Sequence, residues 1–235
     1  MKLLTWNCSG NLHKKHQQLR TLGADIAIIQ ECSQTSIEQI AHSKTEYSFW
    51  FTGNPQKGLA VLAKTPWAIR GSQTLSPKWS GKLTLQGPAS VAPIALFPVW
   101  AHVDKESTVE YIEQVHLLLD IIGQTSVSPF TIIAGDLNSN KKWDEDYGIK
   151  SHTIAVERML KLGLESAYHE FFGCSQGAEQ HPTFWLTKNK DRHYHTDYVF
   201  LSRSLLSKRK KVEVGSCDEW LSFSDHAPLL VELDL

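Results

Sequence analysis

The most informative segment of the chain is Thr131-Ile-Ile-Ala-Gly-Asp-Leu-Asn138. Its first four residues are β-branched or small and apolar, a composition typical of a buried strand. Gly135 lets the backbone turn, and Asp136 and Asn138 follow two residues apart, so that in extended chain they project to the same side. The segment predicts a carboxylate beside a carboxamide at the C-terminal end of a core strand, where open α/β sheets bind ligands. A simple turn with a helix cap is the alternative interpretation.

Two more strands that end in polar residues are predicted near the start of the sequence. Residues 2–6 form a short predicted strand that ends at Asn7, and a helix follows at about residues 13–22. Residues 25–31 form a second buried strand that ends at Glu31. The order predicts a βαβ unit with a potential metal ligand at the end of each strand. A turn residue at 7 and a helix-capping charge at 31 are the alternatives.

Hydrophobic periodicity predicts the remaining elements. Strands are predicted at residues 47–52, 59–64, 67–70, 92–103, 130–134, 181–185, 195–201 and 227–235. The strands at 47–52 and 59–64 are predicted to form an antiparallel pair, to which the strand at 67–70 adds a third strand. Amphipathic helices are predicted at residues 153–162 and 107–123, where Ser107 and Glu110 match the capping-box spacing. Residues 71–90 are rich in Gly, Ser, Pro, Thr and Lys, which predicts a surface excursion with one poorly defined strand around 83–85.

Composition limits the class of protein. With 235 residues, 41% hydrophobic content, eight Trp and no evident repeat or linker, the sequence predicts one domain over residues 1–235. A formal net charge of -1 provides no long-range basic field, so any nucleic-acid contact depends on local patches. The four Cys lie far apart without C-x-x-C spacing, as expected for reduced thiols. No signal peptide and no apolar stretch of about 20 residues is evident, which predicts a soluble cytoplasmic protein.

The ends of the predicted elements present a set of polar side chains suited to one site: Asn7, Glu31, His102, Asp136, Asn138, Asp197, Asp225 and His226. Their carboxylate and amide oxygens suit Mg²⁺ or Mn²⁺ better than zinc. Two His and several Asp without a nearby Ser or Cys nucleophile indicate metal-assisted attack by water. Because neighbours on a strand point apart, Asp197 is the expected partner of His226, and Asp225 then faces the metal or a water. A structural hydrogen-bonding role is the alternative for His102.

Seven short motifs occur in a fixed order: Thr5-Trp-Asn7, Ile29-Gln-Glu31, Gly58-Leu-Ala-Val-Leu62, Ala101-His102, Gly135-Asp-Leu-Asn138, Thr196-Asp-Tyr198 and Ser224-Asp-His226. Together they resemble the endonuclease/exonuclease/phosphatase superfamily, and the resemblance spans residues 5–231. It implies a four-layer α/β/β/α sandwich, in which two packed mixed β-sheets are flanked by helices.

The resemblance also implies roles for the metal-side residues. Glu31 would be the main protein ligand of a divalent metal, Mg²⁺ or Mn²⁺, helped by Asn7 and Asp225. Asp136 would orient or deprotonate the attacking water, and Asn138 would hold that water or a phosphate oxygen.

Roles on the phosphate side follow from the same resemblance. His226, oriented by Asp197, would bind the scissile phosphate and stabilise its developing charge. His102 matches the second His that some members place across the phosphate. Phosphoryl transfer needs in-line positioning and neutralisation of charge, which one metal, two His and one Asn can supply.

The departures from the family concern the substrate. The chain has no counterpart of the long basic or aromatic insertions of DNA-repair members. Trp143, Tyr168 and Arg192 lie outside the shared motifs and are candidate substrate-binding residues, with core packing or loop capping as the alternative for the first two. We predict a monomeric Mg²⁺-dependent phosphodiesterase that cleaves nucleic acid, with DNA as the leading candidate substrate. The alternatives are an RNA, small or lipid phosphate ester as substrate, and a non-catalytic binding module on the same fold.

Overall fold

The structure, a computed structural model, describes residues 1–42, 47–75, 79–103, 109–125 and 127–235. Its strands in chain order are β1 Lys2–Asn7, β2 Ile26–Cys32, β3 Tyr47–Asn54, β4 Lys57–Lys64, β5 Ala68–Thr74, β6 Gly81–Gln86, β7 Ile94–Trp100, β8 Thr131–Asp136, β9 Leu164–Ser166, β10 Phe184–Trp185, β11 His193–Tyr194, β12 Asp197–Ser202, β13 Arg209–Val214 and β14 Leu229–Leu233. Its α-helices are α1 Leu12–Thr21, α2 Gln34–His42, α3 Tyr111–Gly123, α4 Asp144–Tyr147, α5 His152–Lys161, α6 Ala167–Phe172, α7 Arg203–Leu206 and α8 Cys217–Trp220. Short 3₁₀ turns span Lys141–Trp143, Gly148–Lys150 and Leu186–Lys188.

Two six-stranded mixed sheets form the framework. The first has the order β13-β14-β1-β2-β4-β3 and the second β5-β6-β7-β8-β12-β9. One neighbouring pair in each sheet is parallel, β1 with β2 and β7 with β8, and the other neighbours are antiparallel. The parallel pairing of β1 and β2 around α1 confirms the predicted βαβ unit.

The sheets pack face to face, and helices cover their outer faces. The core between the sheets includes Leu3, Ile28, Val61, Leu83, Leu96 and Ile132. Outside the first sheet, Leu12 and Leu19 of α1 and Ile37 of α2 pack on Leu4 and Ile29. Outside the second, Ile112 and Val115 of α3 and Met159 of α5 pack on Phe97 and Ile133. The four-layer α/β/β/α sandwich is confirmed.

Strand β8 is buried on both faces, which explains its continuous apolar sequence. Ile132 faces the core between the sheets, whereas Ile133 faces α3 and α5. The next-to-last residue of the strand, Gly135, has φ 150° and lies so close to β7 that a Cβ would be 1.8 Å from Val99 O. Only glycine fits there, and the close approach pairs Trp100 with Asp136 at the end of the ladder.

Two predictions about the middle of the chain are wrong. The strand predicted around residues 83–85 is confirmed as β6, but it is not part of a surface excursion, because β6 lies between β5 and β7 and its Leu83 and Leu85 are fully buried. Strand β5, predicted to extend the preceding antiparallel pair, instead pairs with β6 in the second sheet. The short Leu-Thr-Leu alternation predicted this strand, but the Gly and Ser around it gave no sign that it is buried inside a sheet.

Helix α3 begins at Tyr111, and the predicted cap Ser107 lies outside the described residues. Glu113 instead accepts a hydrogen bond from Glu110 N at 3.4 Å. No helix in the described parts of the chain is long and apolar enough to cross a lipid bilayer.

Candidate active site

Asp136 is fully buried at the end of β8, and three N–H groups donate to its carboxylate. Asn138 N lies 2.8 Å from Oδ1, and Asn7 Nδ2 and Asn138 Nδ2 lie 3.0 and 3.1 Å from Oδ2. Asn138 has φ 46°, which folds its side chain back over the carboxylate. Its amide also donates to Ala101 O at 2.8 Å, so both amide hydrogens are engaged and Oδ1 is left as an acceptor.

His226 and Asp197 form a buried pair beside Asp136. His226 Nδ1 lies 2.9 Å from Asp197 Oδ2, and His226 Nε2 lies 4.0 Å from Asp136 Oδ2. Thr183 Oγ1 accepts from Asp197 N at 3.1 Å, which fixes the start of β12. The ring of Phe184 lies 4.6 Å from that of His226 between centroids, at 32°. The imidazole is therefore held by the carboxylate at one nitrogen and directs the other toward Asp136.

Burial and the close carboxylates shift the protonation equilibria of this group. Burial, reinforced by the negative charge of Asp197, raises the pKa of Asp136 to about 7. Burial alone would lower the pKa of His226, but the carboxylates of Asp197 and Asp136 outweigh it and raise that pKa to about 9. At neutral pH the site thus combines an imidazolium with a carboxylate that can accept a proton.

Two of the three predicted metal ligands, Asn7 and Glu31, lie at the C-terminal ends of the parallel strands β1 and β2. Glu31 has φ 59° at an irregularity in the ladder of β2, and its Oε2 lies 3.1 Å from Lys57 Nζ. Because Asn7 Nδ2 donates to Asp136, the other amide atom, Oδ1, is the acceptor. Asn7 Oδ1 accepts a hydrogen bond from Ser9 N at 3.0 Å and keeps a second lone pair that a cation can use. Glu31 is only partly buried, so its carboxylate can reach a cation. These oxygen donors fit a hard divalent cation.

Asp225 is tied to the same region through its neighbours. Ser224 Oγ donates to Asn7 O at 2.7 Å and accepts from His226 N at 3.0 Å, while Asp225 O accepts from Trp185 N at 2.8 Å.

Three other ligand-type side chains, Asp136, Asp197 and His226, have ligand atoms within 4.8 Å of one another. Most of these atoms are already engaged in the bonds described above. Among the atoms of these three described residues, Asp197 Oδ1 is the one that is buried without a hydrogen-bond partner. The chemistry of the two donor sets therefore favours the Glu31 side for the cation and the His226 side for the substrate.

His102 follows β7 next to the Asp136 turn. Gln114 of α3 holds its backbone, with Nε2 2.7 Å from His102 O and Oε1 3.3 Å from His102 N. The imidazole stacks on Trp100, with ring centroids 4.1 Å apart. Because Asn138 bonds the preceding carbonyl, His102 lies beside the catalytic candidates.

The three candidate substrate-binding residues have different surroundings. Trp143 is half-buried and packs on Tyr194, with ring centroids 4.7 Å apart, and Arg192 is exposed in the β10–β11 hairpin. Tyr168 is 0% exposed, and its hydroxyl bonds His181 Nδ1 at 2.9 Å. The prediction that Tyr168 binds substrate is therefore wrong. Its ring belongs to the core, because α6 packs it against the segment that contains Gln180 and His181.

Several residues with roles in the site geometry were missed from sequence. Thr183, Phe184 and Gln114 each contact a site residue that is distant along the chain. The Thr-Phe-Trp run before β12 was predicted only as an edge strand. Nothing in the sequence of α3 marks Gln114, except that it is a polar residue among the inward-facing positions of an amphipathic helix.

The comparisons with known proteins agree with this arrangement. The profile described as Endonuclease/Exonuclease/phosphatase family matches residues 4–226. An AP endonuclease from Archaeoglobus fulgidus has a TM-score of 0.75 and 17% identity, with 100% of both chains covered. The 3' phosphatase NExo from Neisseria bound to product DNA hairpin gives 0.72 and 16%, again with 100% of both chains covered. D. rerio TDP2 complexed with single strand DNA product gives 0.69 and 12%, over 100% of this chain and 99% of that one. A search of the curated proteins finds no match.

Proposed function

The chain belongs to the Endonuclease/Exonuclease/phosphatase family, and on this basis we propose that it is a divalent-metal-dependent phosphodiesterase that hydrolyses DNA by in-line attack of water. Members of the family are phosphoric ester hydrolases. The observation that carries the proposal is the buried group of Asp136, Asp197 and His226, capped by the amides of Asn7 and Asn138. We further propose Mg²⁺ or Mn²⁺ as the ion, a monomeric state and a cytoplasmic location.

In this mechanism Asp136 accepts the proton of the attacking water, and its pKa near 7 suits that task at neutral pH. Asn138 holds the water rather than a phosphate oxygen. Its amide hydrogens are taken by Asp136 and Ala101, so only the acceptor Oδ1 remains, and an acceptor can bind water but not a phosphate anion.

His226 stabilises the charge that develops on the phosphoryl group. Asp197 holds the Nδ1–H, which leaves the Nε2–H of the imidazolium free to donate to a phosphate oxygen. His102 would contact the same group from the side of β7. Glu31, with Asn7 and Asp225, would hold the cation. A bound divalent cation would neutralise phosphate charge and stabilise the negative charge on the leaving oxygen.

A row of aromatic rings supports nucleic acid over a small ester. It begins at His226 and continues through Phe184, Tyr194 and Trp143, with centroid separations of 4.6, 6.4 and 4.7 Å. Lys141, Lys142 and Arg192 are exposed on the same segments. Such a row, flanked by cations, is suited to stacking bases of a single strand. An RNA or a small or lipid phosphate ester is the alternative substrate.

The test is hydrolysis by purified protein with Mg²⁺ or Mn²⁺, with and without a chelator. Substrates are single- and double-stranded DNA, abasic DNA, RNA and bis-(p-nitrophenyl) phosphate, and Asp136→Asn is the matched inactive control. Metal-dependent DNA cleavage that the variant loses supports the proposal, and product lengths separate endo from exo action. If only RNA or the small ester is hydrolysed, that compound replaces DNA as the proposed substrate. Full activity of the variant would overturn the role of Asp136.

A further inference from the structure

Buried polar residues, most of them outside the shared motifs, come together next to the segments that carry Asn138 and Asp197. Asn140, His169, His195 and Tyr198 are all more than 90% buried, and they are joined with Glu179 in one hydrogen-bonded network. Burying polar groups costs stability unless each finds a partner. A network of this size therefore needs an explanation beyond packing.

Asn140 connects most of this network. Its Nδ2 lies 3.0 Å from His195 O, 3.3 Å from Tyr198 Oη and 3.3 Å from Glu179 Oε2, and its Oδ1 accepts from Lys142 N at 3.0 Å. The amide orientation is determined by these partners, since reversing it would place Oδ1 against a carbonyl and a carboxylate.

These bonds join the two segments that carry site residues. Asn140 follows Asn138 by two positions, and His195 precedes Asp197 by two. The β8–β12 ladder ends at the pair Asp136 and Asp197. After this pair, Leu137 N still donates to Thr196 O, but the left-handed conformation of Asn138 takes the chain out of the ladder. The next bond between the two segments is made by the Asn140 side chain, which donates to His195 O.

Glu179 fixes the orientation of the Asn140 amide. Its Oε1 receives His169 Nε2 at 3.0 Å and Gly177 N at 2.8 Å, while Oε2 faces the amide. Burial alone would raise the pKa of Glu179, but these hydrogen bonds outweigh it and lower the pKa to about 2. The acceptor is thus a permanent anion, which strengthens the bond to Asn140.

We propose that Asn140 is a positioning residue that holds the turn carrying Asn138 against the strand carrying Asp197, and that Glu179 acts through it. The hydrogen bonds of Asn140 determine where Asn138 holds the water relative to the Asp197–His226 pair. This inference rests on the proposed function for its kinetic consequence, but the placement of the turn can be tested without any activity.

The kinetic test is a cycle of Asn140→Ala, Glu179→Gln and the double variant, with Gln176→Ala as the matched control. Gln176 contacts His152 and His169 in the same network but neither segment that carries a site residue. We expect Asn140→Ala to lower kcat about 100-fold, because small displacements of reacting groups have effects of this size. KM should change by less than about threefold, since the lost alignment matters in the transition state.

Glu179→Gln should also lower kcat, because a glutamine that still accepts from Gly177 N turns its own amide toward the amide of Asn140. In the double variant this clash is absent, so Glu179→Gln should have no further effect. Gln176→Ala should retain kcat. The proposal would be overturned if folded Asn140→Ala kept kcat within about twofold of wild type, or if Gln176→Ala lost as much kcat as Asn140→Ala. It would also be overturned if the losses of kcat in Asn140→Ala and Glu179→Gln were additive in the double variant.

The second readout is backbone amide exchange of residues 137–143, measured by mass spectrometry. Asn140→Ala should speed exchange there relative to wild type and to Gln176→Ala, even if the protein cleaves none of the substrates tested. Wild-type protein without activity on any substrate would count against the proposed function. Unchanged exchange in Asn140→Ala would count against the positioning role.

Discussion

Asp197 Oδ2 lies 2.9 Å from His226 Nδ1, and both side chains are buried. The carboxylate therefore has two effects on the imidazole: it fixes the ring, and it favours the charged form. Replacing its charge while keeping its shape separates these effects.

Asp197→Asn should lower the pKa of His226 from about 9, because the negative charge that favours the imidazolium is lost while burial still disfavours it. The charged imidazole is then lost at lower pH, so the alkaline limb of the pH–rate profile should move toward acid. We expect kcat at pH 7 to fall about 10²- to 10⁴-fold. Asp218→Asn, at an exposed carboxylate paired with Lys190, is the control and should keep the wild-type profile. An unshifted alkaline limb in Asp197→Asn would refute the role of the pair.

Glu31→Gln should raise the Mg²⁺ concentration needed for half-maximal activity by at least about tenfold. The substitution keeps the size of the side chain but removes the charge that a divalent cation prefers. Mn²⁺ binding measured by calorimetry should weaken in parallel. Glu145→Gln, at an exposed residue of α4, is the matched control. If metal binding were the same in Glu31→Gln and wild type, Glu31 would not be a ligand.

Trp143→Ala should weaken binding of single-stranded DNA by about 1–3 kcal/mol, the usual contribution of one stacked base. Hydrolysis of bis-(p-nitrophenyl) phosphate should stay at the wild-type rate, because that ester does not extend along the aromatic row. Affinity is measured by fluorescence anisotropy in the Asp136→Asn background, where the DNA is not cut. Ile149→Ala, at an exposed apolar residue of the same segment, provides the control. Equal DNA affinities for Trp143→Ala and its parent would remove Trp143 from the DNA surface.

His195 should make the fold sensitive to acid. Burial lowers its pKa from 6.5 to about 4, so the unfolded chain binds a proton that the folded protein excludes. Stability should accordingly be lost as the pH falls from about 6.5 to about 4, by about 3 kcal/mol from this residue. His195→Phe should lose correspondingly less of its free energy of unfolding over that range, as measured by urea denaturation. Parallel pH dependence in the two proteins would show that His195 does not contribute.

The fold could be predicted from the sequence where local pattern and long-range structure coincide. Gly135, Asp136 and Asn138 carry backbone geometry and chemistry in one short stretch, and the βαβ unit around α1 has regular periodicity. Strand β6 has only the alternation of Leu83 and Leu85 in a segment of turn formers, so a strand could be predicted there but not its position inside a sheet. The sheet to which β5 belongs depends on packing that is not encoded within the strand itself.

The candidate site followed the same division. His226 and Asp197 could be paired because neighbours on a strand point apart, and they do meet in the structure. The partners of Asn140 could not be predicted, because each comes from a different segment and none has a spacing that marks it. Tyr168 shows the opposite error, since an aromatic residue outside the motifs suggested a substrate contact and proved to be buried.

The position of β1 between β2 and β14 has a consequence for biosynthesis. Trp6 Nε1 donates to His226 O at 3.1 Å, and Leu3 pairs with Val231, so β1 completes its pairing with β14, which is synthesised after the other strands described here. Until residues 224–233 emerge, a nascent chain carries β1 with one edge open to other strands. Chains that stop before residue 224 lack Asp225, His226 and β14, so they cannot bring the candidate site together and leave β1 without its antiparallel neighbour.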